Sequence, residues 1–212
     1  MLFSLNTVGN IVSINSLEAI LFTPMTIIAA ILCCRLAIEK WKSIGVRVLL
    51  GEKFSIYLGC YQAVYIDIAK VASSSIKATL ASVLELEHIG GNPHDVEFPR
   101  PTTVDPAGER LYPNLYSFTF VRNPWDRLVS CYRDKIGGEV QDFTGFADSG
   151  VAHCLTRFNV FKAGMSFQAF AHAVASIPDE EADEHFRSQA DYVTNSAGLV
   201  AIDFVGRFER LG

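Results

Sequence analysis

The sequence predicts an α/β fold of three layers, a central parallel sheet flanked by helices, and three observations carry that prediction. A short run of β-formers, AVYIDIA (63–69), passes directly into a run of helical period, SSSIKATLASVLELE (73–87). A second strand-like run, LYSFTFV (115–121), passes into RNPWDRLVSCYRDKI. A third, AIDFVGRF, falls late, at 201–208. Strands separated by helices imply parallel pairing, with ligands bound outside the carboxyl ends of the strands.

A chain of 212 residues suffices for one well-buried core and is short for two. Half of the residues are apolar and the net charge is −5, which marks a folded protein rather than a disordered or fibrous one. The acidic balance also argues against a nucleic-acid binder, which needs a basic face to displace counterions from the phosphate backbone. Five cysteines, Cys33, Cys34, Cys60, Cys131 and Cys154, show neither a C-x-x-C pair nor zinc spacing, so a reducing compartment is inferred. Cys131 sits in a helical apolar pattern, as an inert buried thiol would.

Residues 1–50 read as a hydrophobic N-terminal segment and 51–212 as the functional domain. The first 34 residues carry one charge, Glu18, and the apolar stretch within 11–34 would associate the chain with a membrane. Against a spanning helix, the run from Ala19 to Cys34 is shorter than the ~20 residues needed, and Pro24 interrupts it. No basic region precedes it, which disfavours a cleaved signal peptide. A membrane anchor and a soluble amphipathic helix both fit. If the segment spans, Arg35, Lys40, Lys42 and Arg47 keep the downstream domain on the cytoplasmic side; otherwise the chain is cytoplasmic.

In the 63–69 strand, β-branched and aromatic residues stop where small polar ones begin. The helix that follows places Ile76, Leu80, Val83 and Leu84 on one face. Residues 89–114 hold five of the eight prolines and no period, which predicts a functional loop over a binding face. The second helix has a clear start: Asn123 as N-cap, Pro124 in the first turn and Asp126 favoured by the dipole. Phe167, Phe170, Ala171 and Val174 make a later helical stripe, and Pro178 opens an acidic helix start at DEEADEHF.

Two strand-to-helix junctions thus fall on one edge of the predicted sheet. The first, AKVASSSIK, has the parts of a phosphate cradle: Lys70 at a strand end, then Val71, Ala72, Ser73, Ser74 and Ser75 leading into a helix N-terminus. It lacks the glycines of G-x-x-x-x-G-K-[ST], which argues against an ordinary ATP or GTP loop. The competing reading is that the serines cap a helix and Lys70 is a solvated charge. At the second junction Arg122 ends a strand, and Ser130 shares a helix face with Asp126, Arg127 and Asp134. Arginine grips phosphate through paired hydrogen bonds, and serine adds another. A surface network of Arg127 with Asp134 is the bland alternative.

Strand-KVAxxxxK-helix followed by FVRxPxxRLVSxYRxK resembles the membrane-associated carbohydrate sulfotransferases, the family of chondroitin and HNK-1 sulfotransferases and their bacterial relatives. ADEHFRSQ resembles that family's E-H-[WF] segment and DFVGRFERL its D-[FL]-[VI]-G-[KR]-[FY]-E-x-L segment, so the likeness spans about residues 64–211. It departs at Ala69, where relatives have proline, in the SSS of the loop, and at Gly212, where relatives continue; the domain is therefore expected to be incomplete at its C-terminus.

The resemblance implies a P-loop-like fold and sulfuryl transfer from 3′-phosphoadenosine 5′-phosphosulfate to a carbohydrate hydroxyl, with no metal. The first junction would bind the 5′-phosphosulfate, and Arg122 and Ser130 the 3′-phosphate. Lys70 would stabilise charge on the bridging oxygen. Arg127 would orient the nucleotide or tie the second helix to the sheet. Trp125 and Tyr132 would border the adenine or belong to the core. The base is His94 or His185; His172 reads as a surface residue, His88 and His153 have no supporting context, and Asp126 and Glu184 are weaker choices. A silent membrane-tethered nucleotide binder and a phosphotransferase on a related fold are the rival readings.

Overall fold

Four strands form one sheet in the order β1 (Ser55–Leu58), β2 (Ala63–Ile66), β3 (Tyr116–Val121), β4 (Phe204–Arg207). The computed structural model describes residues 53–86, 92–136, 146–147 and 149–211. All of them fall within one unit of the chain, 40–212. The N-terminal segment 1–50, with Cys33, Cys34 and the flanking Arg35, Lys40, Lys42 and Arg47, lies outside the described residues, as does His88. Among the described residues no helix is long and apolar enough to cross a membrane.

The sheet is mixed, which corrects the expected all-parallel arrangement. β2, β3 and β4 are parallel, with Ala63 opposite Tyr116 and Phe118 opposite Phe204. β1 runs antiparallel to β2, pairing Ser55 with Ile66 and Leu58 with Ala63. The hairpin between them turns through Gly59–Tyr61 and closes at Gln62, whose φ of 48° is left-handed. Asn-Gly or Asp-Gly would have announced such a turn, and neither is present.

Both faces of β2 are covered. Val64 and Ile66 face Ile68, Val71, Leu111 and Tyr112 on one side, while Ala63 and Tyr65 face Ile56, Leu58 and Ala81 on the other. An unbroken apolar run is what a strand buried on two faces requires.

Among the described residues five α-helical segments accompany the sheet: α1 (Ser73–Val83), α2 (Pro124–Lys135), α3 (His153–Thr156), α4 (Phe167–Ala175) and α5 (Ala190–Val193). α1 packs Ile76, Leu80 and Ala81 against the sheet, whereas Val83, expected on that face, is exposed. It also ends four residues earlier than its period suggests. Glu85 adopts φ 54°, and the Glu85 and Leu86 amides donate back to Ser82 and Ala81, a Schellman stop made without glycine. The acidic start after Pro178 yields only a 3-10 turn, Asp179–Glu181. Its carboxylates serve neighbouring amides instead: Asp179 accepts from Ser188, and Asp183 from His185. A separate cluster holds Cys131, Ile136, Leu155, Phe161 and Phe170. Cys131 is fully buried, and burial pushes its thiol up to about 12, so it is inert.

Candidate active site

Lys70 and Ala72 both take positive φ, 69° and 64°, in the loop that leaves β2. Neither is glycine, and each such residue costs on the order of 1–3 kcal/mol unless the surroundings hold it. Val71 between them is fully buried and supplies that hold. The strained turn brings Ala72 to the N-cap of α1, where no side chain caps the helix. The serines therefore do not cap α1, contrary to the bland reading; Ser73–Ser75 form its first turn, and first-turn amides have no partner within a helix.

The second junction is built as its sequence predicts. Asn123 Oδ1 accepts from the amides of Trp125 (3.0 Å) and Asp126 (3.5 Å), and Pro124 begins α2. Gln189 clamps the Arg122 backbone by accepting from its N–H and donating to its carbonyl, at 2.9 and 2.8 Å. Glu209 accepts from the Asn123 amide at 2.6 Å, which with nearby Arg122 and Arg207 holds its carboxyl below the ordinary value. Gln189 and Glu209 thereby brace the second junction from the two late segments of the chain. Arg122 itself stacks over Phe208, 4.6 Å from the ring centroid, and donates to the Lys70 carbonyl at 3.4 Å.

The two junctions meet in one cleft of about 650 Å³. Lys70, Ser73, Ser74 and Ser75 line it together with Arg122 and Ser130. An adjoining recess of about 470 Å³ shares Lys70, Arg122 and Ser130 and adds Asp126 and Arg133. The cleft also has groups to which the sequence assigned no individual role: Asp67, Lys77, Lys135, Phe54 and Phe208. Lys77 was detectable, since it stands one helical turn beyond Ser73 and Ser74. Phe54 carried no local signal, and Phe208 was marked only by its place in DFVGRFERL.

Within the cleft, carboxylates neutralise the lysines. Lys70 Nζ lies 2.9 Å from Asp134 Oδ2, which Lys135 also meets at 3.1 Å, and Lys77 meets Asp67 at 2.6 Å. Burial alone would raise the Asp134 carboxyl, but the hydrogen bonds and charges of Lys70 and Lys135 hold it below its ordinary value. Arg122 differs: its guanidinium rests on a ring and a carbonyl.

Arg127 does not line the cleft. It is 4% exposed and donates through three nitrogens to the carbonyls of Ala69, Arg187 and Glu184, at 2.8, 2.8 and 2.7 Å. Of its two sequence readings the structure gives it the tie, between α2, the loop before Lys70 and the EHF segment. Tyr132 likewise belongs to the core, packed on Phe167 and Phe170, whereas Trp125 is exposed.

Both candidate histidines line the same cleft. His94 Nε2 lies 2.8 Å from Ser74 Oγ and Nδ1 lies 3.4 Å from Lys77 Nζ. Desolvation and then the Lys77 charge depress its pKa. His185 Nδ1 lies 2.5 Å from Asp183 Oδ1. Glu184 is ion-paired with Lys53 at 2.9 Å, His172 is exposed as expected, and His153 lines a neighbouring cavity. Folding also gathers donors that linear spacing did not show: ligand atoms of Cys154, Asp183 and His185 lie within 4.8 Å of one another. Burial and Asp183 push the Cys154 thiol up to about 11, so on its own it stays protonated at neutral pH.

Anchored cations, serine hydroxyls and free helix amides converging from two turns suit a ligand with two anionic groups. Comparison with curated proteins and with solved structures finds no match. A family model described as "Sulfotransferase family" matches residues 56–212, from β1 through β4, and the chain therefore belongs to the sulfotransferase family.

Proposed function

We propose that the chain moves a sulfuryl group from 3′-phosphoadenosine 5′-phosphosulfate to a hydroxyl of a carbohydrate, on a P-loop-like strand–loop–helix unit. The observation that carries this reading is the convergence of Lys70 and Arg122 on one cleft. The donor has two anionic ends, and the cleft has two cationic turns.

The 5′-phosphosulfate lies against the first turn of α1, held by Ser73–Ser75 and their amides, with Val71 and Ala72 shaping the loop. The 3′-phosphate lies against Arg122 and Ser130. Lys70 faces the bridging oxygen, where negative charge grows as the sulfur leaves, and a preorganised cation lowers that barrier directly. A dianionic ligand competes with Asp134 for Lys70. The acceptor proton passes to one of the two cleft histidines, a contribution of ~10²–10⁴-fold. No step requires a metal. The carbohydrate acceptor rests on the resemblance of the FVRNPWDRLVSCYRDK segment to the carbohydrate-modifying branch.

Thermal unfolding with adenosine 3′,5′-bisphosphate and with ATP tests the donor: the bisphosphate raises Tm and ATP does not. Stabilisation by ATP alone overturns sulfuryl transfer in favour of a phosphotransferase. Transfer of radiolabelled sulfate to mixed glycans tests the reaction, and bisphosphate binding without any transfer marks a silent nucleotide binder.

A further inference from the structure

Two histidines share the cleft, but their surroundings differ. Both ring nitrogens of His94 are engaged, one by Lys77 and one by Ser74. An ammonium only donates, so Nδ1 of His94 is the acceptor and Nε2 carries the hydrogen given to Ser74 Oγ. The one basic nitrogen of that ring faces a cation.

His185 is the opposite case. Asp183 is 8% exposed, and its Oδ1 receives both the His185 backbone amide, at 3.1 Å, and Nδ1, at 2.5 Å. Burial alone would raise the Asp183 carboxyl, but these hydrogen bonds hold it below its ordinary value. An ionised carboxylate only accepts, so Nδ1 carries the hydrogen and Nε2 keeps the lone pair. The segment itself is fixed, because Arg127 holds the Glu184 and Arg187 carbonyls on either side of His185.

We propose that Asp183 is a positioning residue that locks His185 in the Nδ1–H tautomer, leaving Nε2 of His185 to take the proton of the acceptor hydroxyl. This rests on the sulfuryl-transfer reading above. In the step, the acceptor oxygen bonds to sulfur and the bond between sulfur and the bridging oxygen breaks. The electron pair stays on that oxygen beside Lys70, and the hydroxyl proton passes to His185 Nε2. His94 belongs to the cradle, where it braces Ser74.

The test uses the full chain. Asp183→Asn lowers kcat by ~10²-fold or more, the order of a general base's contribution, with KM for the donor and bisphosphate affinity little changed. His185→Gln lowers kcat at least as far, and the double variant loses little more, because the two act as one unit. Nitrogen-15 NMR of the wild-type imidazoles shows His185 as Nδ1–H, and Asp183→Asn shifts it toward the other tautomer. His94→Gln acts chiefly on KM for the donor. A wild-type His185 in the Nε2–H form overturns the proposal, and this reading stands even if Asp183→Asn does not fold. So does full kcat in Asp183→Asn together with a kcat collapse in His94→Gln. A wild-type chain that binds no bisphosphate overturns the donor reading instead, and this proposal with it.

Discussion

The guanidinium of Arg122 donates to the carbonyl of Lys70 across 3.4 Å, joining residues 52 positions apart. Through that contact the two turns form one piece, so that, on the proposed reading, a ligand held by one is presented to the other. Phe208 beneath Arg122 fixes the direction in which its remaining donors point.

Replacing Arg122 by alanine removes a charge-assisted grip and the link between the turns. Binding of adenosine 3′,5′-bisphosphate weakens by ~1.5–3 kcal/mol, the usual worth of hydrogen bonds to a charged group. Isothermal titration measures it, and unchanged affinity would remove Arg122 from the site.

Lys70→Ala acts on a different quantity. If the ammonium stabilises charge that develops only in the transition state, kcat falls by ~10²–10³-fold while the bisphosphate still binds. Steady-state kinetics paired with titration separates the two effects, and an unaltered kcat rejects the role.

Arg127→Met should fail as a fold rather than as a site. Three carbonyls lose their donor in a region from which water is excluded, which costs at least ~3 kcal/mol. That lowers Tm by roughly 6–12 °C for a chain of this size. Arg127→Lys recovers only part, since one ammonium cannot reproduce a planar fork. A variant that melts like wild type would contradict the tie.

Stability should also carry the signature of His94. Its folded pKa lies below the ordinary 6.5, so the unfolded chain binds the proton more readily. Its contribution is complete above about 6.5 and is lost as pH falls through the depressed folded value. Asp183 and Asp134, also depressed, lose theirs only below 3.8, so the windows are separate. In melts from pH 7.5 to 5, His94→Gln declines less on acidification than wild type; parallel curves would refute the depression.

Much of the site was legible because its parts are local. The change of period at Ser73 and the N-cap at Asn123 are decided within a few residues by backbone hydrogen bonding, and both appear where the sequence puts them. Glu85 shows the limit of such reading. A left-handed stop that falls on glutamate rather than glycine leaves no mark in the sequence, so the helical period overstates the length of α1.

By itself the sequence determined the two strand–loop–helix units, the cations and hydroxyls at their turns, and the candidate histidines. Tertiary structure alone decided that β1 reverses against β2, that Lys77, Lys135 and Phe208 join the cleft, and that Asp183 stands behind His185. It also turned Arg127 from a ligand candidate into a buried tie to a carbonyl 58 residues away. The physical reason is range: helix period and capping act between neighbours along the chain. The environment of a charged side chain is set by whatever the folded core brings against it.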